Sequence, residues 1–351
     1  MPGDSIRDCD GNPERDPVSG FYIPKDWIKR SDDPCALDKI RSGKWVLLSD
    51  GRMLARGYTT GTTSAAACKG AILSLMLVPS ERLEMVDVMT PAGIRVLLPV
   101  EARAGICKAV KDGGDHQFDV TNGIEVLAKA MESERIELIT GEGVGIIKVK
   151  GLSAPKGKPA ISQSARRQIK RAIEEGLEMT GLQGAMVELT VPLGRTIANL
   201  TLNPKLGVVG GISILGSTGF VEPWNDHLLQ SRSEEIKGLK KVLVTTGRTG
   251  LKYSRVLFPD YQAVLLGSKL DRIEFHEGQD SILCGLPALV LKWAWPEVLE
   301  GTGYRTVAEM AEAEPEHPNI DMAIEKAKAR LPFTRIILLY KNGRILRDTK
   351  Q

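Results

Sequence analysis

Asp112, Asp115 and Asp119, with His116 between them and Gly113-Gly114 alongside, make the densest polar cluster in the chain, inside KDGGDHQFDVTNG (Lys111 to Gly123). Carboxylates at that density suit proton transfer, metal ligation or a hydrogen-bonded grip on a polar ligand. A calcium loop needs ligands at alternate positions and a closing Glu. Here the spacing is three, then four, and the Glu is missing. One imidazole plus carboxylates is under-liganded for a transition metal, so no protein-bound metal is expected. Two readings stay open: a capped surface loop, or a polar loop facing a substrate.

A second concentration of reactive types is RGYTTGTTSAAACKGAILSLML, Arg56 to Leu77. Thr59, Thr60, Thr62, Thr63 and Ser64 offer hydroxyls just ahead of an alanine-rich segment that predicts a helix over Ala65–Leu77. One hydroxyl suffices to cap a helix, so the surplus also suits an anion or ligand seat at the helix start. The third stretch is TLNPKLGVVGGISILGSTGF, where Gly207, Gly210, Gly211, Gly216 and Gly219 interrupt an apolar run. Glycine inside regular structure is tolerated where the backbone takes positive φ or where something approaches it closely. That something is either another strand at a tight crossover or a ligand.

The elements that position these stretches follow from periodicity. Residues 1–42 are polar and proline-bearing and read as an extension, with FYIPKDWI (Phe21 to Ile28) apolar enough to dock. Residues 43–202 read as an α+β domain. Trp45–Leu48 is a strand before the Asp50-Gly51 turn. Met85–Thr90 and Ile94–Val100 form a hairpin about Pro91-Ala92-Gly93, and Ile106–Val110 is a strand. Val120–Met131 is expected as an amphipathic helix capped by Asp119. Strands at Ile136–Thr140 and Ile146–Val149 flank Gly141 to Gly145, a helix with a basic face spans Ser162–Met179, and a strand runs from Ala185 to Val191. Residues 203–351 read as an α/β domain with a mostly parallel sheet. Its strands are Lys241–Thr246, Ala263–Leu266 and Ser281–Leu283, each ahead of a helical stretch, and a last strand spans Ile336–Tyr340. In such sheets ligands bind at the carboxyl ends of strands, which singles out Thr246 and Gly247.

Composition excludes several classes. Net charge of +3 and 5% aromatics are too mild and too few for a nucleic-acid binder. No apolar run reaches the length of a membrane span. Five cysteines without a pairing pattern read as reduced thiols. A cytoplasmic protein without nucleic-acid or membrane partners is expected. A nucleotide- or phosphate-binding small-molecule enzyme would use the threonine-rich helix start; against it, no GxxxxGK[ST] is present.

RGYTTGTTSAAACKGA, VKDGGDHQFDVTNG, GEGVGIIKVKGL, GKPAIS and TLNPKLGVVGGISILGSTGFVEP come in the order and spacing of the CbiD family, which the chain resembles over roughly residues 54 to 300. These are the cobalt-precorrin-5B C1-methyltransferases of anaerobic cobalamin biosynthesis, and the long N-terminal extension is similar to archaeal members. The resemblance implies S-adenosylmethionine as methyl donor and a corrinoid substrate that carries its own cobalt. Other cobalamin-pathway enzymes are then the partners to consider, and a non-catalytic tetrapyrrole-binding protein is the alternative that the resemblance leaves beside the enzyme. It further implies a two-domain enzyme, α+β then α/β. The chain departs from the family pattern at Thr62-Thr63, at His116 and Phe118, and at Leu286 to Leu289. Under this resemblance Asp112 and Asp115 are the expected catalytic groups. Tyr58, Thr59, Thr60, Thr62, Asp119, Glu142, Asn203, Gly210, Gly211, Ser213 and Gly216 are expected about the ligands, with Thr246 and Gly247 at the strand end. Lys69, Lys111, Arg166 and Lys205 are expected to meet the macrocycle's carboxylates.

Overall fold

The computed structural model describes residues 14–78, 80–149, 155–223, 239–266, 270–273, 275, 278–332 and 334–350. The first thirteen residues of the extension, with Cys9, lie outside that set, as do His227 and His276. The chain divides into two compact units: one of residues 41–45 and 54–224, the other of residues 1–40, 46–53 and 225–351. Both units mix helices with strands.

The first unit is built on a six-stranded mixed sheet. Its order is Leu83–Met89, Arg95–Arg103, Ile106–Val110, Glu125–Glu132, Ala185–Thr190 and Glu137–Thr140, with every pair antiparallel except the last. A helix of Thr60–Leu73, continued by a 3-10 turn over Ser74–Met76, lies on this sheet, and a helix of Gln163–Thr180 packs over it. A helix between two layers is buried all round, and every residue from Thr60 to Ile72 is buried. That burial accounts for Ala65, Ala66, Ala67 and Gly70: small side chains let three layers close. At Gly61 a Cβ would stand 2.9 Å from the Ala165 methyl.

Two expectations are corrected here. Val120–Met131 is not a helix: Glu125–Glu132 is a strand paired on both sides. Val126, Ala128 and Ala130 point inward while Glu125 and Lys129 face out, a period of two that the helix-forming Ala, Lys and Glu disguise. The second correction is the start of the Thr60 helix, five residues ahead of the expected Ala65. Thr59 alone is the N-cap, its Oγ1 accepting the Thr62 N–H. The remaining hydroxyls belong to the helix itself.

The second unit holds a five-stranded sheet in the order Gln262–Leu265, Lys241–Thr245, Asp280–Gly285, Arg335–Leu339, Ile345–Asp348, parallel but for the last strand. Helices Arg248–Leu257, Pro287–Ala294, Val307–Ala313 and Pro318–Arg330 accompany it. Its core is Val242, Val244, Leu283, Ile336 and Leu338 with Val290, Leu291, Met310, Ile320 and Ala323. Phe21 stacks on Trp27 at 5.4 Å and meets Tyr253 at 5.6 Å, so FYIPKDWI docks on this unit. Among the described residues no helix is long and apolar enough to cross a membrane.

Candidate functional site

In the first unit, the chain leading into the Thr60 helix gathers two of the three reactive stretches. Gly57–Tyr58 pairs antiparallel with Phe220–Val221, and the Tyr58 N–H donates to the Asp112 carbonyl at 2.7 Å. Gly57 lies so close to Gly113 that a Cβ would stand 2.6 Å from the Asp112 carbonyl. On the other side of Tyr58 comes the helix start. Leu215 N–H donates to Thr60 Oγ1 at 2.8 Å, and that hydroxyl donates to the Ser213 carbonyl at 3.2 Å. Thr62 Oγ1 donates to the Gly219 carbonyl at 2.8 Å and accepts from Gln168 Nε2 at 3.2 Å. Tyr58, Thr59, Thr60, Thr62, Ser213 and Gly216 therefore form one junction. The Thr59, Thr60 and Thr62 hydroxyls clip the glycine-rich strand onto the helix.

The glycines divide by what they meet. A Cβ at Gly216 would run into the Thr59 hydroxyl, and one at Gly211 into the Gly143 carbonyl, where Gly211–Ile212 pairs parallel with Gly143–Val144. For those two the close neighbour is protein. Gly210 differs: φ is +79°, the residue is exposed, and nothing lies within 4 Å of where a Cβ would be. Asn203 is buried beside this strand, accepting from Ser213 Oγ at 3.0 Å.

Asp112 is half exposed and ion-paired with Lys44, whose ammonium also stands 4.2 Å from the Tyr58 ring centre. Its other oxygen accepts the Gly114 N–H at 2.7 Å. Partial burial raises the Asp112 pKa, but Lys44 and the Gly114 amide outweigh burial and hold it below the usual carboxylate range. Burial, with Asp112 nearby, pushes the Tyr58 hydroxyl up to about 12. Asp115 accepts the Ala55 N–H at 2.6 Å and so pins the loop. Asp119 is ion-paired with buried Lys111 and accepts from the Thr121 hydroxyl at 2.5 Å. Burial opposes ionisation of Asp119, and Lys111 with Thr121 holds its pKa low all the same.

The four expected cations separate. Lys69 is buried, with its ammonium 3.0 Å from both Asp87 and Glu175. Lys111 is buried against Asp119. Both serve the fold's own carboxylates, and a substrate carboxylate would have to displace a protein partner from a dry site to reach them. Arg166 and Lys205 are exposed. Glu142 is exposed, 3.7 Å from Arg195. In the second unit Thr246 is buried and follows the strand Lys241–Thr245. Gly247 starts the next helix with no side-chain cap and open space where a Cβ would be.

Two residues at the junction are absent from the expected site residues. Lys44 reaches Asp112 across 68 positions. Arg56 is fully buried, 3.0 Å from Glu222 and donating to the Gly43 carbonyl at 3.0 Å. The one sequence signal for Arg56 is its place directly ahead of Gly57-Tyr58.

Mixed-sheet and parallel-sheet units, the first carrying a glycine-lined, hydroxyl- and carboxylate-rich junction, define a two-unit α/β protein. The chain belongs to the CbiD family, whose model matches residues 48–223. It is 48% identical over 338 residues to a cobalt-precorrin-5B C(1)-methyltransferase of Methanosarcina acetivorans, covering 95% of this chain and 98% of the relative. A protein of the same name from Methanococcoides burtonii is 46% identical over the same length. A crystal structure of the cobalamin biosynthesis protein cbiD from Archaeoglobus fulgidus superposes with a TM-score of 0.55 at 39% identity, over 80% of this chain and 92% of that one.

Proposed function

We propose that this chain methylates carbon 1 of cobalt-precorrin-5B, with S-adenosylmethionine as the donor. The observation that carries the reading is likeness along nearly the whole chain to proteins bearing that name, 48% identical over 95% of this chain. The donor supplies an activated methyl group on a sulfonium. The S–CH3 bond breaks as the C–C bond forms, the macrocycle gives the electron pair, and neutral S-adenosylhomocysteine leaves.

Such a displacement needs alignment more than functional groups. Holding donor and acceptor in line is worth about 7–11 kcal/mol of barrier. The junction of the first unit suits that task because its shape is set by backbone hydrogen bonds and small residues, which do not reorganise. Asp112, ionised by Lys44 and the Gly114 amide, is the group we assign to hold a donor polar group or accept a ring proton, with Asp115 keeping its loop in place. Within the second unit by itself, the open, uncapped start of the Arg248–Leu257 helix at Gly247 is a separate candidate seat for a carboxylate.

The test is anaerobic incubation with methyl-labelled S-adenosylmethionine and cobalt-precorrin-5B, followed by mass spectrometry of the corrinoid. The expected result is a gain of one labelled methyl. Tight macrocycle binding without transfer would replace the enzyme by a carrier. Thermal stabilisation by ATP, and none by S-adenosylmethionine, would favour the phosphate-binding alternative.

A further inference from the structure

Two long stretches of the chain contain no Asp or Glu at all: Gly143 to Ile173, and Leu189 to Val221. With 44 acidic residues among 351, several would be expected in each. The fold brings the two stretches together. Ile146–Ile147 pairs antiparallel with Val208–Val209, Ile161 bridges Ile214, and the Ser162 N–H donates to the Ile214 carbonyl at 3.0 Å. The two acid-free sequences thus become one paired ribbon with no Asp or Glu of its own.

That surface has two kinds of residue. On the inner face of the ribbon Ile147 and Val208 pack with Ala160. Side chains alternate along a strand, so Ile146 and its cross-strand partner Val209 face outward, and Val209 is 42% exposed. Leu206 beside it is 51% exposed. Around this apolar strip stand Lys148, Lys158 and Lys205, all exposed, and none forms an ion pair with a described residue. By contrast, Lys44, Lys69, Lys108, Lys111 and Lys170 of this unit each have a carboxylate. The strip runs through exposed Gly210 into the strand that Thr60 and Thr62 hold.

We propose that this strip is the docking surface for the corrinoid, its apolar residues against the flat macrocycle and Lys148, Lys158 and Lys205 against the peripheral carboxylates. The proposal rests on the corrinoid reading above and adds where the substrate lands. The charge pattern selects the occupant: a polyanion with an apolar face meets cations on a ribbon that carries no acid of its own, which limits repulsion at encounter.

The test uses the full chain and two stable probes, cobyrinic acid and its heptamethyl ester, which share a macrocycle and differ in charge. Wild-type protein is expected to bind the acid more tightly than the ester, with an affinity that falls as salt rises. A Lys148→Gln, Lys158→Gln, Lys205→Gln variant should lose about five- to fiftyfold for the acid, roughly a quarter to a little over half a logarithmic unit for each of the three exposed contacts, and little for the ester. A variant with the same charge loss in the other unit, Lys292→Gln, Lys328→Gln, Lys341→Gln, should bind the acid as wild type does. Val209→Asp should weaken both probes. Unchanged affinity of the triple ribbon variant, or no binding of the acid by wild type, overturns the docking surface. So does a wild-type dimer that Val209→Asp dissociates while corrin affinity stays, since the strip is then covered by a second copy. Methyl transfer by wild-type protein with any of these results leaves the catalytic reading standing, whereas absence of transfer removes that reading independently.

Discussion

Thr60→Val isolates the role of the hydroxyls at the helix start. Valine keeps the shape and removes one oxygen. In the folded chain that oxygen accepts the Leu215 N–H at 2.8 Å and donates to the Ser213 carbonyl at 3.2 Å. The substitution leaves a donor and an acceptor without partners beside a residue that is only 7% exposed. An unsatisfied buried group costs about 1–3 kcal/mol. Leu215 itself is 51% exposed, so water can reach part of the break and the expected loss is about 1–2 kcal/mol. For a unit of this size that lowers the melting midpoint by roughly 2–8 °C. The assay pairs a thermal or urea melt with hydrogen exchange at Leu215 and Gly61, whose N–H donates to the Leu215 carbonyl at 2.8 Å. Both amides should exchange faster as the strand lifts from the helix. A variant with wild-type stability and exchange, but weakened donor or corrinoid binding, would refute the clip and return the hydroxyl to the ligand.

Gly211→Val should fail to fold or lose more than about 3 kcal/mol, because its side chain would overlap the Gly143 carbonyl across a paired strand; circular dichroism of the purified variant decides it. Lys69→Met should cost about 2–3 kcal/mol in a urea melt, since Asp87 and Glu175 lose a buried cation yet keep Arg95. Glu175 sets a pH dependence: Arg95 above all, with Lys69 and Arg171, holds its pKa at about 2 against an ordinary 4.5. A depressed carboxylate stabilises the fold above the unfolded value, so about 1–2 kcal/mol should fade as pH drops from about 4.5 towards about 2, and Glu175→Gln should flatten that slope. Asp112→Asn should retain the melting midpoint to within a few degrees and lower turnover; full turnover with unchanged donor affinity would remove Asp112 from the mechanism.

Much of the secondary structure was legible because it is written locally. The alternation of Val86, Val88, Val96, Leu98 and Val100 about Pro91-Ala92-Gly93 specifies a hairpin, and the short apolar strands ahead of helices specify a parallel sheet. The glycines of the segment from Gly207 were legible as positions needing a bare backbone. The identity of the neighbour was not: at Gly211 and Gly216 it is Gly143 and Thr59 rather than a ligand. The strand Glu125–Glu132 was hidden because alanine, lysine and glutamate favour helices in isolation, and pairing with two other strands overrides that preference.

By itself the sequence determined the family, the types of element, and the three reactive stretches, since each depends on residue types at short spacing. Tertiary structure decided which groups are available. Lys69 and Lys205 are both lysines in motif blocks, yet one is buried between two carboxylates and the other is exposed. Lys44 reaches Asp112 only because the chain folds back across 68 positions, and two acid-free stretches make one surface only because Ile146 pairs with Val209. Burial and long-range proximity set charge state and access, and neither is a local property of the chain.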